Sequence, residues 1–188
     1  ATLNTQADIK GEKSLYNSIA WLSEGKIQQY FHKRLLPTYD VFDEDRYFES
    51  GDESEFFTLD SIKIGVSICE DLWNDETFWG KRLYEVNPIQ DLANLGVDLV
   101  LNLSASPYTI GKQHLRESLL KHSATYCKTP LIYVNQVGGN DDLVFDGNSV
   151  AFNRHGEVVC RAKSFTSDLQ IIEFNPEQKD LLPSTITT

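Results

Sequence analysis

Methionine is absent from all 188 residues, and the chain opens Ala1-Thr2-Leu3-Asn4 without the charged start and apolar stretch of a secretory leader. We read it as a piece of a longer polypeptide. No window approaches the roughly 20 apolar residues of a membrane span, which argues against membrane insertion. Cysteine is scarce: three residues, at 69, 127 and 160, are an odd number too widely spaced for a disulfide framework or a Cys-x-x-Cys metal site. No metal site is expected, and a reducing cytoplasm fits this usage. Basic residues are in the minority, 17 against 28 acidic for a net charge of -11. No Lys/Arg run is present of the kind that neutralises phosphates, so nucleic acid is excluded as a partner. There is no internal repeat, no low-complexity tract and no phosphate-binding glycine loop.

What is present is an ordinary folded composition, 40% hydrophobic and 24% charged, in a chain of one-domain size. Residues 14–22, the turn Ser23-Glu24-Gly25 and residues 26–32 read as a β-hairpin. From Pro37 to Glu55 aromatics and acids follow no sustained period, as in an ordered loop, the kind of segment that carries sites. Residues 56–60 and 62–69 read as a second hairpin whose later strand is apolar enough to be buried on both faces. Pro88, Ile89, Leu92, Ala93 and Leu95 predict a short helix stopped by Gly96. A buried strand over 97–103 follows. The spacing then predicts an amphipathic helix over 111–127 with Leu115, Leu119, Leu120 and Ala124 inward. Pro130 ends it, and 131–135 is a third buried strand. A Gly138-Gly139-Asn140 turn and strands over 149–152, 157–161 and 169–174 complete the pattern, and 176–188 has the composition of a linker. Buried strands alternating with helices indicate an α/β layered sandwich.

Cys69 ends a buried strand, where ligands meet such sheets. Cysteine is also among the most buried and inert residues, so position alone does not make it a nucleophile. Glu70 and Asp71 directly after the sulfur are unusual for a core strand, and a thiol needs a neighbouring cation or base to react at neutral pH. Lys33 is a candidate cation at the entry to the 37–55 loop; the plain alternative is an exposed lysine at a hairpin exit. Asn102-Leu103-Ser104-Ala105-Ser106-Pro107-Tyr108, followed by Gly111-Lys112, is either a carboxylate-binding strand end leading into a helix or merely a turn with a cap.

Four segments in order resemble one family. They are Tyr16-Asn17-Ser18, then Phe31-His32-Lys33 running into Leu36-Pro37-Thr38-Tyr39-Asp40-Val41-Phe42-Asp43-Glu44, then Gly65-Val66-Ser67-Ile68-Cys69-Glu70-Asp71-Leu72-Trp73, and the Asn102 to Tyr108 run. Together, over residues 14–174, they look like the nitrilase-like glutaminase domain of NAD+ synthetases. The resemblance implies an α-β-β-α sandwich and a Glu-Lys-Cys triad with Lys33 in the lysine position and Cys69 as nucleophile. It also implies that Tyr39, Ser106 and Lys112 bind glutamine, with Glu70 and Trp73 lining the pocket. A partner synthetase domain of the same polypeptide, a homo-oligomer and a cytoplasmic location are implied as well. This domain would need no cofactor; ATP and Mg belong to the synthetase domain.

The family's catalytic glutamate precedes the first hairpin, and nothing in residues 1–13 fits it; Glu12 lies in a polar stretch. The expectation is therefore an incomplete domain over 1–174, lacking its N-terminal strands and helices, with 175–188 a linker toward the synthetase. Two other readings stand beside this one. A different amidase or carbamoylase of the superfamily would keep Lys33 and Cys69 with another pocket, and ammonia release from glutamine against simple amides separates the two. A non-catalytic assembly module would use the acidic surface and the aromatic loop, and its Cys69 would not react with a glutamine-like electrophile.

Overall fold

The computed structural model describes residues 2–6 (main chain only), 13 and 15–183. The strands of the first half are β1 (Thr2–Gln6), β2 (Leu15–Ser23), β3 (Lys26–His32), β4 (Phe56–Leu59), β5 (Ile62–Ile68) and β6 (Leu99–Ser104). Those of the second are β7 (Leu131–Asn135), β8 (Val137–Asn140), β9 (Leu143–Asp146), β10 (Val150–Phe152), β11 (Val158–Arg161), β12 (Phe174–Asn175) and β13 (Asp180–Leu181). The helices are α1 (Glu76–Trp79), α2 (Pro88–Asn94) and α3 (Lys112–Cys127).

Six strands form the central sheet in the order β11-β10-β7-β6-β5-β4. Only the pairs β5/β6 and β6/β7 are parallel, and the flanking pairs are antiparallel. The apolar runs of β5, β6 and β7 are what a strand covered on both faces requires. One face packs on α2 and α3 through Leu92, Leu119, Leu120, Val100, Leu131 and Tyr133. The other meets the antiparallel sheet β1-β2-β3, where Ile19 and Phe31 lie against Val66 and Ile68. Helix, sheet and second sheet thus stack in layers. Leu92, Leu119 and Leu120 are fully excluded from solvent, each contributing about 2 kcal/mol of transfer free energy.

Local chemistry sets the helix ends. The Asn87 side chain accepts from the Gln90 N–H at 3.1 Å and Pro88 opens α2, while Gly96 at φ 70° turns the chain out. Gly65 lets α2 approach β5, because a Cβ there would lie 3.1 Å from Leu92 and 3.3 Å from Val97.

Several expectations need correction. β1 forms in a polar stretch where periodicity gave no strand, because Thr2–Gln6 has β2 to pair with. Gly138-Gly139-Asn140 is not a turn but most of β8, and the reversal falls one step later, before Leu143. Of residues 169–174 only Phe174 is in a strand; Leu169 and Ile171 are 87% and 73% exposed. The segment expected as a linker is packed through Leu181, which is buried, and the Asp180 carboxylate accepts from the Arg154 main-chain N–H at 2.9 Å. Helix α3 turns Arg116 rather than Leu115 inward: Leu115 is 40% exposed and Arg116 1%. The guanidinium tolerates burial because Asp146 pairs with it at 3.1 Å. Among the described residues no helix is long and apolar enough to cross a membrane.

Replacing Gly65 by valine forces a branched side chain into Leu92 and Val97 and should cost about 1–3 kcal/mol by overpacking. Urea unfolding should register this as a lower midpoint with an unchanged slope.

Candidate active site

One buried carboxylate brings the two chemical segments together. Asp71 Oδ1 accepts from the main-chain N–H groups of Arg34 and Leu35 at 3.0 and 2.8 Å, and Oδ2 accepts from that of Ile68 at 2.9 Å. The chain leaving β3 is thereby fastened to the end of β5. Lys33, the residue between β3 and this clamp, is 1% exposed, which excludes the exposed hairpin-exit alternative. A buried ammonium needs an ionic partner. Its Nζ lies 2.5 Å from Glu44 Oε1, and Asn17 Nδ2 donates to the other Glu44 oxygen at 3.2 Å. Glu44 belongs to a short 3-10 turn inside the loop expected to carry a site.

Cys69 does not end β5, as expected, but opens a 3-10 turn over Cys69–Leu72. Its φ of 46° is left-handed, a conformation that costs a non-glycine residue about 1–3 kcal/mol and turns the chain sharply at the strand end. Cys69, Lys33, Glu44, Asn17, Ser104 and Asn135 line one cavity of about 280 Å³. Burial pushes the Cys69 thiol up, Lys33 opposes that, the Glu70 and Glu44 charges add to it, and the Ser104 hydroxyl lowers it slightly. Cys127 and Cys160 are also raised by burial, Cys127 to about 11, but the charges beside them are Asp75 and Asp168, both unfavourable to a thiolate. Of the three cysteines, Cys69 is the one whose rise is opposed by a neighbouring cation.

The remaining candidates fall outside this cavity lining and form its neighbours. Tyr39 donates to both Glu70 oxygens at 2.9 Å, and Tyr84, unremarked in the sequence, donates to Glu70 Oε1 at 3.0 Å. Glu70 is 4% exposed, and burial raises its pKa against the pull of the two phenols. Lys112 stands at the first turn of α3 with its Nζ 5.8 Å from the centre of the Trp73 ring. Burial and Arg116 lower its pKa, while Cys69, Glu70 and Asp40 raise it, so it shares the field of the cysteine site. Ser106 is buried and fixed through its main chain: Asn135 Oδ1 accepts from its N–H at 2.9 Å. The hydroxyl of fully buried Tyr133, beside those of Ser104 and Ser106, lacks a well-formed hydrogen bond. Among the described residues no three His, Cys, Asp or Glu side chains converge as metal ligands do.

The family model described as carbon-nitrogen hydrolase matches residues 4–181. The chain belongs to the carbon-nitrogen hydrolase family. It is 56% identical over 180 residues to a glutamine-dependent NAD(+) synthetase of a Synechocystis strain, an alignment covering 96% of this chain and 32% of that protein. A glutamine-dependent NAD+ synthetase from Acinetobacter baumannii, solved with ADP, superposes with a TM-score of 0.85 at 38% identity, over 100% of this chain and 33% of its own. A carbon-nitrogen hydrolase of Helicobacter pylori shares the fold at 23% identity and a TM-score of 0.70, over 87% of this chain and 56% of its own. The chain thus spans about a third of the length of the synthetases it matches, within their hydrolase region.

Sequence reasoning missed Glu44, Asn17, Asn135 and Tyr84. Glu44 and Asn17 were inside segments singled out for resemblance, but only the fold shows that they converge on Lys33. The position assigned to the family's glutamate, ahead of residue 14, includes Glu12, which lies outside the described residues.

The Asp71 clamp has a pH signature. Burial raises its carboxyl from 3.8 to about 6. The folded state therefore holds this proton more tightly than the unfolded chain, and stability falls as pH rises from about 4 to 6, by up to about 3 kcal/mol. Asp71→Asn loses one acceptor and should be less stable than the parent by about 1–3 kcal/mol at pH 4. Its deficit should shrink between pH 4 and 7, measured by denaturant unfolding at each pH; a deficit that grows with pH would contradict the burial cause.

Proposed function

We propose that this chain is the glutamine-hydrolysing unit of a glutamine-dependent NAD+ synthetase, supplying ammonia for amidation of deamido-NAD+ elsewhere in the polypeptide. The observation that carries the reading is the meeting of Cys69 and Lys33 in one cavity, at a strand end of a carbon-nitrogen hydrolase fold. The names of the 56% and 38% identical relatives support the choice of glutamine over other amides.

In the proposed reaction the Cys69 thiol gives up its proton to a carboxylate base, and Sγ bonds to the side-chain carbonyl carbon of glutamine. The Lys33 ammonium and a main-chain N–H stabilise the oxyanion. Glu44 holds Lys33 in place through its ion pair. Collapse breaks the C–N bond as the proton returns to nitrogen, and ammonia leaves. Water then adds to the thioester and breaks the C–S bond, releasing glutamate and restoring the thiol. Glu70 would receive the substrate ammonium, and Lys112 with Ser106 its carboxylate. Trp73 and Tyr39 would wall the pocket. The hydrolytic step requires no cofactor; ATP and Mg would serve only the amidating domain. A homo-oligomer and a cytoplasmic setting belong to the same proposal.

The test is NAD+ formation from deamido-NAD+ and ATP by the full-length protein, with glutamine or ammonium as nitrogen source. Cys69→Ala removes one sulfur and should leave only a small cavity cost. It should lower glutamine-driven synthesis by about 10³-fold or more and leave ammonium-driven synthesis nearly unchanged. Retained glutamine-driven synthesis would exclude Cys69 as nucleophile. Ammonia release from simple amides but not glutamine would favour the amidase reading.

A further inference from the structure

The Glu70 carboxylate is buried, yet its close donors are two neutral phenols, Tyr39 and Tyr84. A desolvated carboxylate held by neutral donors has no full countercharge within hydrogen-bond reach, and a cationic group fits it best. The two phenols differ in how they are held. Tyr39 is 51% exposed on the long loop. Tyr84 is carried by the segment between α1 and α2, which is fastened to the cysteine turn by one buried amide. Asn74, two residues beyond Leu72, is 4% exposed and uses both ends of its side chain. Its Oδ1 accepts from the N–H groups of Leu83 and Tyr84 at 3.0 and 3.1 Å, and its Nδ2 donates to the carbonyls of Tyr84 and Val86 at 3.0 and 2.5 Å. Four hydrogen bonds on one amide hold Tyr84 in register with Glu70. Neighbouring side chains of the segment, Leu83 and Val86, remain 47% and 39% exposed, so its apolar contacts are not what seats it.

We infer that Tyr84, seated by Asn74, is a positioning residue that sets specificity: it aims Glu70 at the α-ammonium of the substrate, so that an α-amino acid amide is preferred over the same amide lacking the amino group. The inference rests on the proposed glutamine reading and adds to it a residue and a segment outside the cysteine cavity. Removing the Tyr84 hydroxyl leaves the carboxylate to Tyr39 alone, which reaches both oxygens from a half-exposed position on the long loop and holds its orientation less firmly.

The experiment uses the full-length protein in a Cys69→Ala background, so that a bound amide is not consumed. Calorimetry measures binding of glutamine and of 4-carbamoylbutyrate, which is glutamine without its amino group. Tyr84→Phe should weaken glutamine about tenfold, the size of one hydrogen bond to a charged group, and leave 4-carbamoylbutyrate within about twofold. Asn74→Ala, which releases the segment and keeps the phenol, should move glutamine selectively in the same direction. Equal weakening of both ligands by Tyr84→Phe, or no weakening of either, would overturn the inference while leaving the glutamine reading intact. If the Cys69→Ala protein with Tyr84 in place binds neither ligand, the glutamine reading fails and the inference falls with it.

Discussion

The three hydrogen bonds accepted by Asp71 are the constraint on which the site depends. They join segments more than thirty residues apart, the exit of β3 next to Lys33 and the end of β5 next to Cys69. Burying this carboxylate is costly, as its raised pKa shows, and the three main-chain donors offset much of that cost. Without it the main-chain groups of residues 34, 35 and 68 would be buried unpaired. Lys33 would keep its Glu44 ion pair and its main-chain bonds to Asn17 and Gly51, but the chain just beyond it would lose its tie to the end of β5. The clamp also explains why a residue with no direct part in the proposed chemistry sits two positions from the sulfur.

The electrostatics inside the cavity are balanced rather than strongly activating. Burial and the Glu70 and Glu44 charges push the Cys69 thiol up, and Lys33 is the chief charge opposing them. Glu44 partly neutralises that lysine at 2.5 Å. In the proposed reaction a base therefore removes the Cys69 proton as Sγ attacks. In the proposed reaction the Lys33 charge is most useful later, when an oxyanion develops beside it.

Much of the fold was legible because local and tertiary demands agreed. The β2/β3 and β4/β5 hairpins, the capped helix α2 and the three apolar strands all announce themselves by period and turn chemistry. Where they disagreed, packing won. Arg116 occupies a helix position that periodicity gives to Leu115, because Asp146 waits across the core. Gly138 and Gly139 lie in a strand since β9 supplies partners for their main chain. The cysteine and lysine of the site were readable as residue types at strand ends. Glu44, Asn135 and Asn74 were not, since each acts through a partner 10 to 29 residues away in sequence, and no local pattern records such pairings.

The location of the site follows from the one part of the sheet that is parallel. Strands β5 and β6 run together in register from Ile64 with Leu99 to Ile68 with Leu103, and β7 continues so that Ser104 lies beside Asn135. Their C-terminal ends therefore open on the same edge, where Cys69, Ser104 and Asn135 meet. An antiparallel neighbour would have sent the next strand end to the opposite edge. The crossovers needed to keep strands parallel are long, and the one between β5 and β6 holds the cysteine turn, α1, the Asn74-anchored segment and α2. The same topological requirement that gathers the reactive ends thus provides spare chain directly above them. Under the proposed reading, changes in the Asn74-anchored part of that chain alter what is recognised while the Asp71 clamp and the strands beneath it keep their own hydrogen bonds.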